Sequence, residues 1–214
     1  MASFGESQSD GRARTDLAEE FSQLAPDSQE HLARFLLNVL NLPVRNFIIP
    51  LPDGKTPYLH RFVLDEGDQL IKNEERSKVY LHFIYASDED RDPHDHPFDF
   101  ESQIIWGSYR EQRYHRACKH CANIFMGDVK ECKRCGAKLH AVPQYGPRHY
   151  EPGMVNVLEA HGLHRLEVVK GPVVTLVRRG PKVREWGFQT EDGWEHHASY
   201  IKRKFPGAKP TEID

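Results

Sequence analysis

Short apolar segments recur at regular spacing from about residue 46 onward, with turn signals such as Pro52-Asp-Gly-Lys55 and Pro152-Gly153 between them. Many short strands separated by turn signals are typical of an all-β barrel or sandwich. The pattern therefore predicts a mainly β domain over residues 46–205. The expected strands are Phe47–Leu51, Tyr58–Leu64, Lys78–Tyr85, Ser102–Trp106, Tyr109–Tyr114, Met154–Leu158, His164–Val169, Val173–Val177 and Glu185–Phe188.

The two ends of the chain have a different pattern. Residues 1–14 are small and polar, which predicts a disordered N-terminus. Over residues 15–45 apolar side chains recur at helical spacing, as at Leu32, Leu36 and Val39, and predict a helical lead-in that ends near Pro43. A partner-binding amphipathic helix is the alternative for this segment. Residues 206–214 are expected to form a tail.

Composition excludes several classes of function. The 214 residues carry a net charge of -3, so nothing in the overall charge indicates a nucleic-acid or anionic-membrane partner. No apolar run approaches the roughly 18 residues of a membrane span, and the N-terminus lacks the apolar core of a secretory signal. We therefore predict a cytoplasmic protein without a membrane segment, whose four cysteines are reduced or bound to metal.

The four cysteines form two Cys-x-x-Cys pairs, Cys118 with Cys121 and Cys132 with Cys135. Zinc favours tetrahedral thiolate sites with this spacing, whereas a redox dithiol would need only one pair. We therefore predict a zinc-knuckle insertion over residues 115–140 that holds one structural zinc. A closed shell of four thiolates has no open position and is not expected to be catalytic.

The region around the cysteines is rich in basic residues. Between Arg110 and Lys138 there are eight basic residues against three acidic ones, a local excess of five. Such an excess could meet a phosphate or an acidic partner, so binding of nucleic acid or protein through the insert is one alternative function. The other interpretation is a solvated basic loop stiffened by zinc.

A pair of histidines two residues apart, His94 and His96, follows the apolar segment that ends at Tyr85. Residues i and i+2 of an extended chain share one face, so both imidazoles can bind one cation. A third histidine, His164, begins a later strand in phase with Leu166. His161 is a rival third ligand, but it precedes a glycine in a predicted turn.

These residues resemble the two motifs of the cupin superfamily. His94, His96 and Gly107 match the first motif, and Gly153 and His164 match the second. More narrowly, the chain is similar to a group of uncharacterised bacterial and phage cupin-like proteins, in runs such as His94-Asp-His-Pro-Phe-Asp99. The resemblance spans about residues 46–200 without the cysteine insert. It implies a double-stranded β-helix, a jelly-roll barrel, with a divalent metal in its mouth.

The chain departs from the family at the carboxylate of the first motif. The inward position four residues after His96 is Phe100, and Asp99 and Glu101 flank it. Either carboxylate could turn inward through a bulge near Pro97. Glu101 fits the family spacing and Asp99 fits the narrower group, so both stay candidates beside the three histidines.

The resemblance implies a metal-dependent enzyme acting on a small molecule. Histidines with a carboxylate and open positions suit the Fe(II) dioxygen chemistry of an oxidoreductase, and Mn, Ni or Zn are the other candidate barrel metals. The alternatives are a non-catalytic ligand-binding cupin and a scaffold that acts through the insert. A homodimer stays open. Weaker substrate-binding candidates are Tyr109, Arg165, Arg184 and Trp186.

Overall fold

The computed structural model describes residues 45–51, 55–65, 78–88 and 92–205. These residues belong to one compact unit, Arg45–Asp214. The predicted N-terminal tail, the helical lead-in up to residue 44 and the C-terminal tail lie outside the described residues. Within the described part of the chain, no helix has the length and apolar character needed to cross a membrane.

The described residues form eleven strands and one short helix, and the predicted mainly β fold class is confirmed. In chain order the elements are β1 (Asn46–Pro50), β2 (Pro57–Asp65), β3 (Lys78–Ile84), β4 (Phe100–Cys118), β5 (Ile124–Phe125), β6 (Leu139–Pro143), β7 (Arg148–Tyr150), β8 (Val155–Leu158), β9 (Leu163–Arg179), β10 (Gly187–Thr190), β11 (Gly193–His196) and α1 (His197–Lys204).

The strands pair antiparallel throughout. The larger sheet has the order β1-β2-β3-β9-β4-β5, and β6, β7 and β8 also pair with β4. Strands β10 and β11 form a separate two-stranded sheet that leads into α1. The long β4–β9 pair runs from Phe100 opposite Arg179 to Tyr114 opposite Leu163. This pair carries most of the candidate site.

The sequence predicted strand breaks near Gly107 and between Val169 and Val173, but the structure has one continuous strand in each place. Register shifts between Ile104 and Tyr109 let β4 bend without ending. Gly107 has a φ of 72°, and a Cβ there would lie 2.5 Å from the carbonyl oxygen of Lys170. Only glycine fits this bulge, so the predicted turn residue bends a strand instead of ending it.

The core lies between the faces of the larger sheet. Leu81 and Phe83 in β3 and Ile104 in β4 are almost completely buried. At the C-terminal end, the ring of Tyr200 stacks on Phe188 with centroids 3.8 Å apart, which fixes α1 on the small sheet. Helix α1 was not predicted, because a helix of eight residues gives a weak periodic signal in the sequence.

Candidate metal centre and cavity

The histidine pair lies in an extended segment in which His94 bridges to His164 of the larger sheet and to Phe188 of the two-stranded sheet. The backbone N–H of His94 donates to the carbonyl of His164 at 3.1 Å, and the N–H of His164 donates to the carbonyl of His94 at 3.0 Å. Directly opposed residues of an antiparallel bridge put their side chains on the same face. His96, two residues on, shares that face.

The three imidazoles converge. Their ring centroids are separated by 5.1 Å for His94 and His96, 4.7 Å for His94 and His164, and 4.9 Å for His96 and His164. The Nε2 atoms of His96 and His164 lie 2.8 Å apart. Metal–nitrogen bonds of about 2.0–2.1 Å place neighbouring ligand nitrogens about 3 Å apart. The triad therefore has the spacing of a metal centre, and the structure brings together the residues that the sequence named.

A buried carboxylate, Glu111 of β4, orients the third histidine. Its Oε1 lies 2.8 Å from Nδ1 of His164, and it also accepts hydrogen bonds from Asn156 at 2.9 Å and Arg113 at 2.8 Å. Burial alone would raise the pKa of Glu111, but His164, Asn156 and Arg113 outweigh it and lower the pKa to about 2. An ionised carboxylate only accepts hydrogen bonds, so Nδ1 of His164 is the donor. Nε2 then keeps its lone pair for a metal.

The environment also keeps His96 neutral. Burial, and after it the nearby charges of His164 and Arg61, lower the pKa of His96 well below its ordinary value. Neutral imidazole is the form that binds metal ions, so this shift favours a ligand role at neutral pH.

Neither predicted carboxylate reaches the three histidines. The Glu101 side chain is exposed and lies 3.7 Å from the guanidinium of Arg178. Asp99 accepts a hydrogen bond from the backbone N–H of Ala160 at 2.6 Å. The bulge that would have turned one of them inward does not form, and Phe100 takes the inward position with its ring centroid 4.9 Å from that of His96. Glu111 contacts the triad instead, through Nδ1 of His164 and so on the side of that ring away from Nε2, which faces His96.

The other candidate residues divide into two groups. Tyr109 and Trp186 line the cavity next to the histidines, and their role in binding a substrate stays a prediction. Arg165 and Arg184 lie outside that lining. His161, the rival third ligand, has its Nε2 atom 2.9 Å from a carboxylate oxygen of Glu159 and is not part of the triad.

The three histidines face an internal cavity of about 160 Å³. Aromatic and aliphatic side chains form most of its wall, including Phe98, Phe100 and Phe188. A small number of polar side chains interrupt this wall, among them Arg61 and His82. A largely apolar pocket with a few convergent polar groups is the usual form of a small-molecule site.

Asp95, between the two histidines of the pair, is completely buried at the centre of a charge network. Its Oδ2 accepts from Arg116 at 2.8 Å, from Arg184 at 2.8 Å and from Nε1 of Trp194 at 3.0 Å. Its Oδ1 accepts from the backbone N–H of Gly187 at 2.8 Å. The network fixes the backbone from which His94 and His96 project. Nothing in the local sequence identified Asp95, because its partners lie 21 to 99 residues away.

The four cysteines also converge, at the end of β4 and in the loop that follows. The Sγ atoms of Cys118 and Cys135, and those of Cys121 and Cys132, are each 3.5 Å apart. A tetrahedral zinc site with Zn–S bonds of about 2.3 Å places its sulfur atoms about 3.8 Å apart. The backbone N–H of Cys121 opposes desolvation and lowers the pKa of the Cys118 thiol to about 6. Backbone N–H groups also act to lower the pKa of the other three thiols, but neighbouring thiols leave the pKa of Cys121 and Cys135 raised. The cluster thus has the spacing of a zinc site.

Ion pairs neutralise much of the predicted basic excess around the insert. Four of the eight basic residues have a carboxylate partner: Arg110 with Glu167, Arg113 with Glu111, Arg116 with Asp95, and Lys119 with Glu191. A fifth, Lys130, lies over the ring of Trp194 at 3.8 Å. The region around the insert therefore offers a phosphate less free positive charge than the sequence indicated.

Replacing Glu111 by glutamine is expected to weaken metal binding by about 10- to 100-fold, because the outer partner of a ligating histidine is lost. The same change should lower the free energy of unfolding by up to about 3 kcal/mol at neutral pH. The reason is that the fold lowers the pKa of Glu111 from 4.5 to about 2, and glutamine loses the stabilisation that this shift represents. A lowered pKa stabilises the fold fully above about pH 4.5, and that contribution is lost as the pH falls toward 2.

Chelator competition and urea unfolding at several pH values measure the two effects of this change. Glu167→Gln, at a half-exposed position of β9, is the matched control and should change neither quantity. A stability difference between Glu111→Gln and the unchanged protein that grows on acidification would contradict this role for Glu111.

No protein-family model and no curated protein matches the chain, but solved structures do. KdgF from Halomonas sp. is 11% identical with a TM-score of 0.34, and the match covers 60% of this chain and 85% of KdgF. Hydroxypropylphosphonic acid epoxidase from S. wedmorenis is 15% identical with a TM-score of 0.36, covering 66% and 65%. An oxalate decarboxylase variant from Bacillus subtilis is 10% identical with a TM-score of 0.39, covering 65% of this chain and 28% of the decarboxylase.

Proposed function

We propose that the chain is a metal-dependent enzyme of the cupin type that acts on a small molecule in the internal cavity. The observation that carries the proposal is the convergence of His94, His96 and His164 on one face of that cavity. Glu111 supports it, because a carboxylate behind a histidine is the usual outer partner of a metal ligand. The residues present therefore fit a divalent cation.

The donor set bears on the choice of metal. Three imidazole nitrogens leave coordination positions open, and an iron centre with open positions would supply dioxygen chemistry. We propose Fe(II) first, with Mn, Ni and Zn as the other candidates. The chain itself orients the ligands through Glu111 and Asp95. Its aromatic residues, Phe98, Phe100 and Trp186, give the cavity an apolar wall beside the triad.

The cysteine cluster is proposed as a separate, structural zinc site. We propose residues 115–140 as a zinc-binding insertion in the β domain of residues 46–205. Its four thiolates leave no open position, so it serves to fold the insert and not to react.

Metal analysis of the purified protein tests the proposed function. The unchanged chain should carry about one equivalent of zinc and a second metal, and His164→Ala should lose the second metal while keeping the zinc. His149→Ala, which removes an exposed imidazole on β7, should keep both. If His164→Ala keeps the second metal in full, the triad is not the centre.

Two alternative functions predict different experimental results. A non-catalytic ligand-binding cupin would bind metal and ligand without turnover. A nucleic-acid scaffold would bind labelled RNA or DNA with an affinity that falls steeply with salt, because counterion release drives such binding. The ion pairs around the insert make the scaffold the less favoured of the two.

A further inference from the structure

A second polar element of the cavity takes no part in the metal centre described above. Arg61 of β2 is only 6% exposed and lies in the cavity lining. Its guanidinium is 4.9 Å from the ring centroid of Tyr80 and 5.4 Å from that of Phe47. Aromatic faces stabilise a cation weakly compared with a carboxylate partner.

The hydrogen bonds of Arg61 are incomplete. Its Nε–H donates to Nε2 of His82 at 2.9 Å, whereas the buried Nη1 has no hydrogen-bond partner within the described part of the chain. Among the residues that the structure describes, no carboxylate forms an ion pair with Arg61. Buried polar groups in native structures are nearly always paired, and an unpaired one calls for a missing partner such as a ligand.

Arg61 stays cationic at neutral pH. Burial, the main cause, lowers the pKa of Arg61 to about 10, still far above neutrality. The neighbour on its Nε, His82, is held neutral because burial and then Arg61 lower the pKa of that imidazole well below its ordinary value. The cavity therefore presents one permanent positive charge without a counter-charge from the described residues.

The cation and the histidine triad share one space. Arg61, His96 and His164 all line the same cavity, and the Arg61 charge acts on His96. A molecule that places an oxyanion on Nη1 of Arg61 would have its remaining atoms against the apolar wall and the triad. The volume, about 160 Å³, matches that of a cavity known to hold one benzene ring.

We propose that the cavity selects a small organic acid, whose oxyanion is bound by the Arg61 guanidinium in the same cavity that the three histidines line. A carboxylate and a phosphate both offer this oxyanion chemistry to guanidinium. The claim that this acid is the substrate of the metal centre rests on the proposed function. The claim that the cavity binds the acid is independent of the proposed function.

Titration calorimetry on the full chain tests the inference with three probes: benzoate, the neutral isostere benzamide, and inorganic phosphate. The unchanged protein should bind benzoate or phosphate at least about tenfold more tightly than benzamide, because a charge-assisted hydrogen bond is added. Preference for benzoate over phosphate would assign a carboxylate, and the reverse preference a phosphate. The titrations are made with and without the second metal, which separates binding to Arg61 from binding to the metal.

Arg61→Met should abolish the preference for the anion, and Arg61→Lys, which keeps the charge, should keep part of it. Arg178→Met, at an exposed arginine of β9, is the matched control and should bind as the unchanged protein does. Benzoate and phosphate binding no tighter than benzamide, or full anion binding by Arg61→Met, would overturn the inference. If Arg61→Met does not fold, the comparison of the three probes on the unchanged protein and on Arg61→Lys still tests the inference.

The proposed function can fail separately. A chain without a second metal that still selects an anion through Arg61 would keep the inference and remove the enzyme proposal. A chain that holds the second metal but shows no anion preference would keep the enzyme proposal and remove the inference about Arg61.

Discussion

Replacing Asp95 by alanine is expected to lower the free energy of unfolding by about 3–5 kcal/mol, which is the usual cost of removing one partner from a buried ion pair. The expected loss is large because Asp95 is completely buried and balances two arginines, Arg116 and Arg184. Arg116 is itself only 3% exposed, so water cannot replace the carboxylate. Urea unfolding at neutral pH measures the change.

The matched control for this prediction is Asp128→Ala, which breaks the ion pair of the same Arg184 at the surface. Exposed pairs contribute about 0–1 kcal/mol, so this variant should unfold nearly as the unchanged protein does. Asp95→Ala should also lower the content of the second metal, because the Asp95 network holds the backbone of His94 and His96. Equal stability of the two variants would show that the buried network does not stabilise the fold.

Local periodicity, together with the resemblance to two motifs, pointed to three histidines that the structure brings together, and their binding of a metal stays a prediction. His94 and His96 share a face because side chains alternate in an extended chain, and His164 stood in phase with the inward residues of its strand. The same rule put Phe100, and not Asp99 or Glu101, at the inward position, as the structure has it. The expectation of a carboxylate ligand came from the family resemblance and required a bulge that the chain does not make.

The position of Glu111 could not be read from the sequence, because it depends on the register of two long strands. Glu111 pairs with Leu166, two residues from His164 along β9, so the two side chains lie diagonally on one face. That register follows three shifts between Ile104 and Tyr109, and one residue more or less would have turned Glu111 outward. Asn156 gave no signal in the sequence either, because the alternation of Val155, Asn156 and Val157 favours buried valines, whereas the structure buries the asparagine and exposes the valines.

Arg61 and Asp95 were missed for a related reason. A single arginine in an apolar strand, or an aspartate in a polar loop, has no local pattern that distinguishes a buried residue from an exposed one. Their burial follows from contacts distant in sequence, such as Asp95 with Trp194, which local periodicity cannot predict.

Replacing Cys132 by serine is expected to remove the structural zinc. Zinc binding supplies about 10–16 kcal/mol in zinc-finger peptides, or roughly 3–4 kcal/mol for each of four thiolates if shared evenly. Loss of one thiolate should therefore weaken zinc affinity by about 100- to 1000-fold. Zinc content of the purified protein measures this, and Lys133→Ser, at an exposed position of the same knuckle, is the control that should keep the metal.

The chain has four cysteines, and all four lie in the cluster, so thiol reactivity reports on this site alone. The unchanged protein should resist a thiol reagent until a chelator removes the zinc, and the thiols should then react as the metal is released. Hydrogen exchange should show lost protection within residues 119–138 in Cys132→Ser and retained protection in β3, which pairs with β2 and β9 and not with the insert. Four thiols that react at once in the unchanged protein, with no zinc released, would contradict the zinc site. Loss of protection in β3 as well would show that the zinc holds the whole β domain together rather than the insert alone.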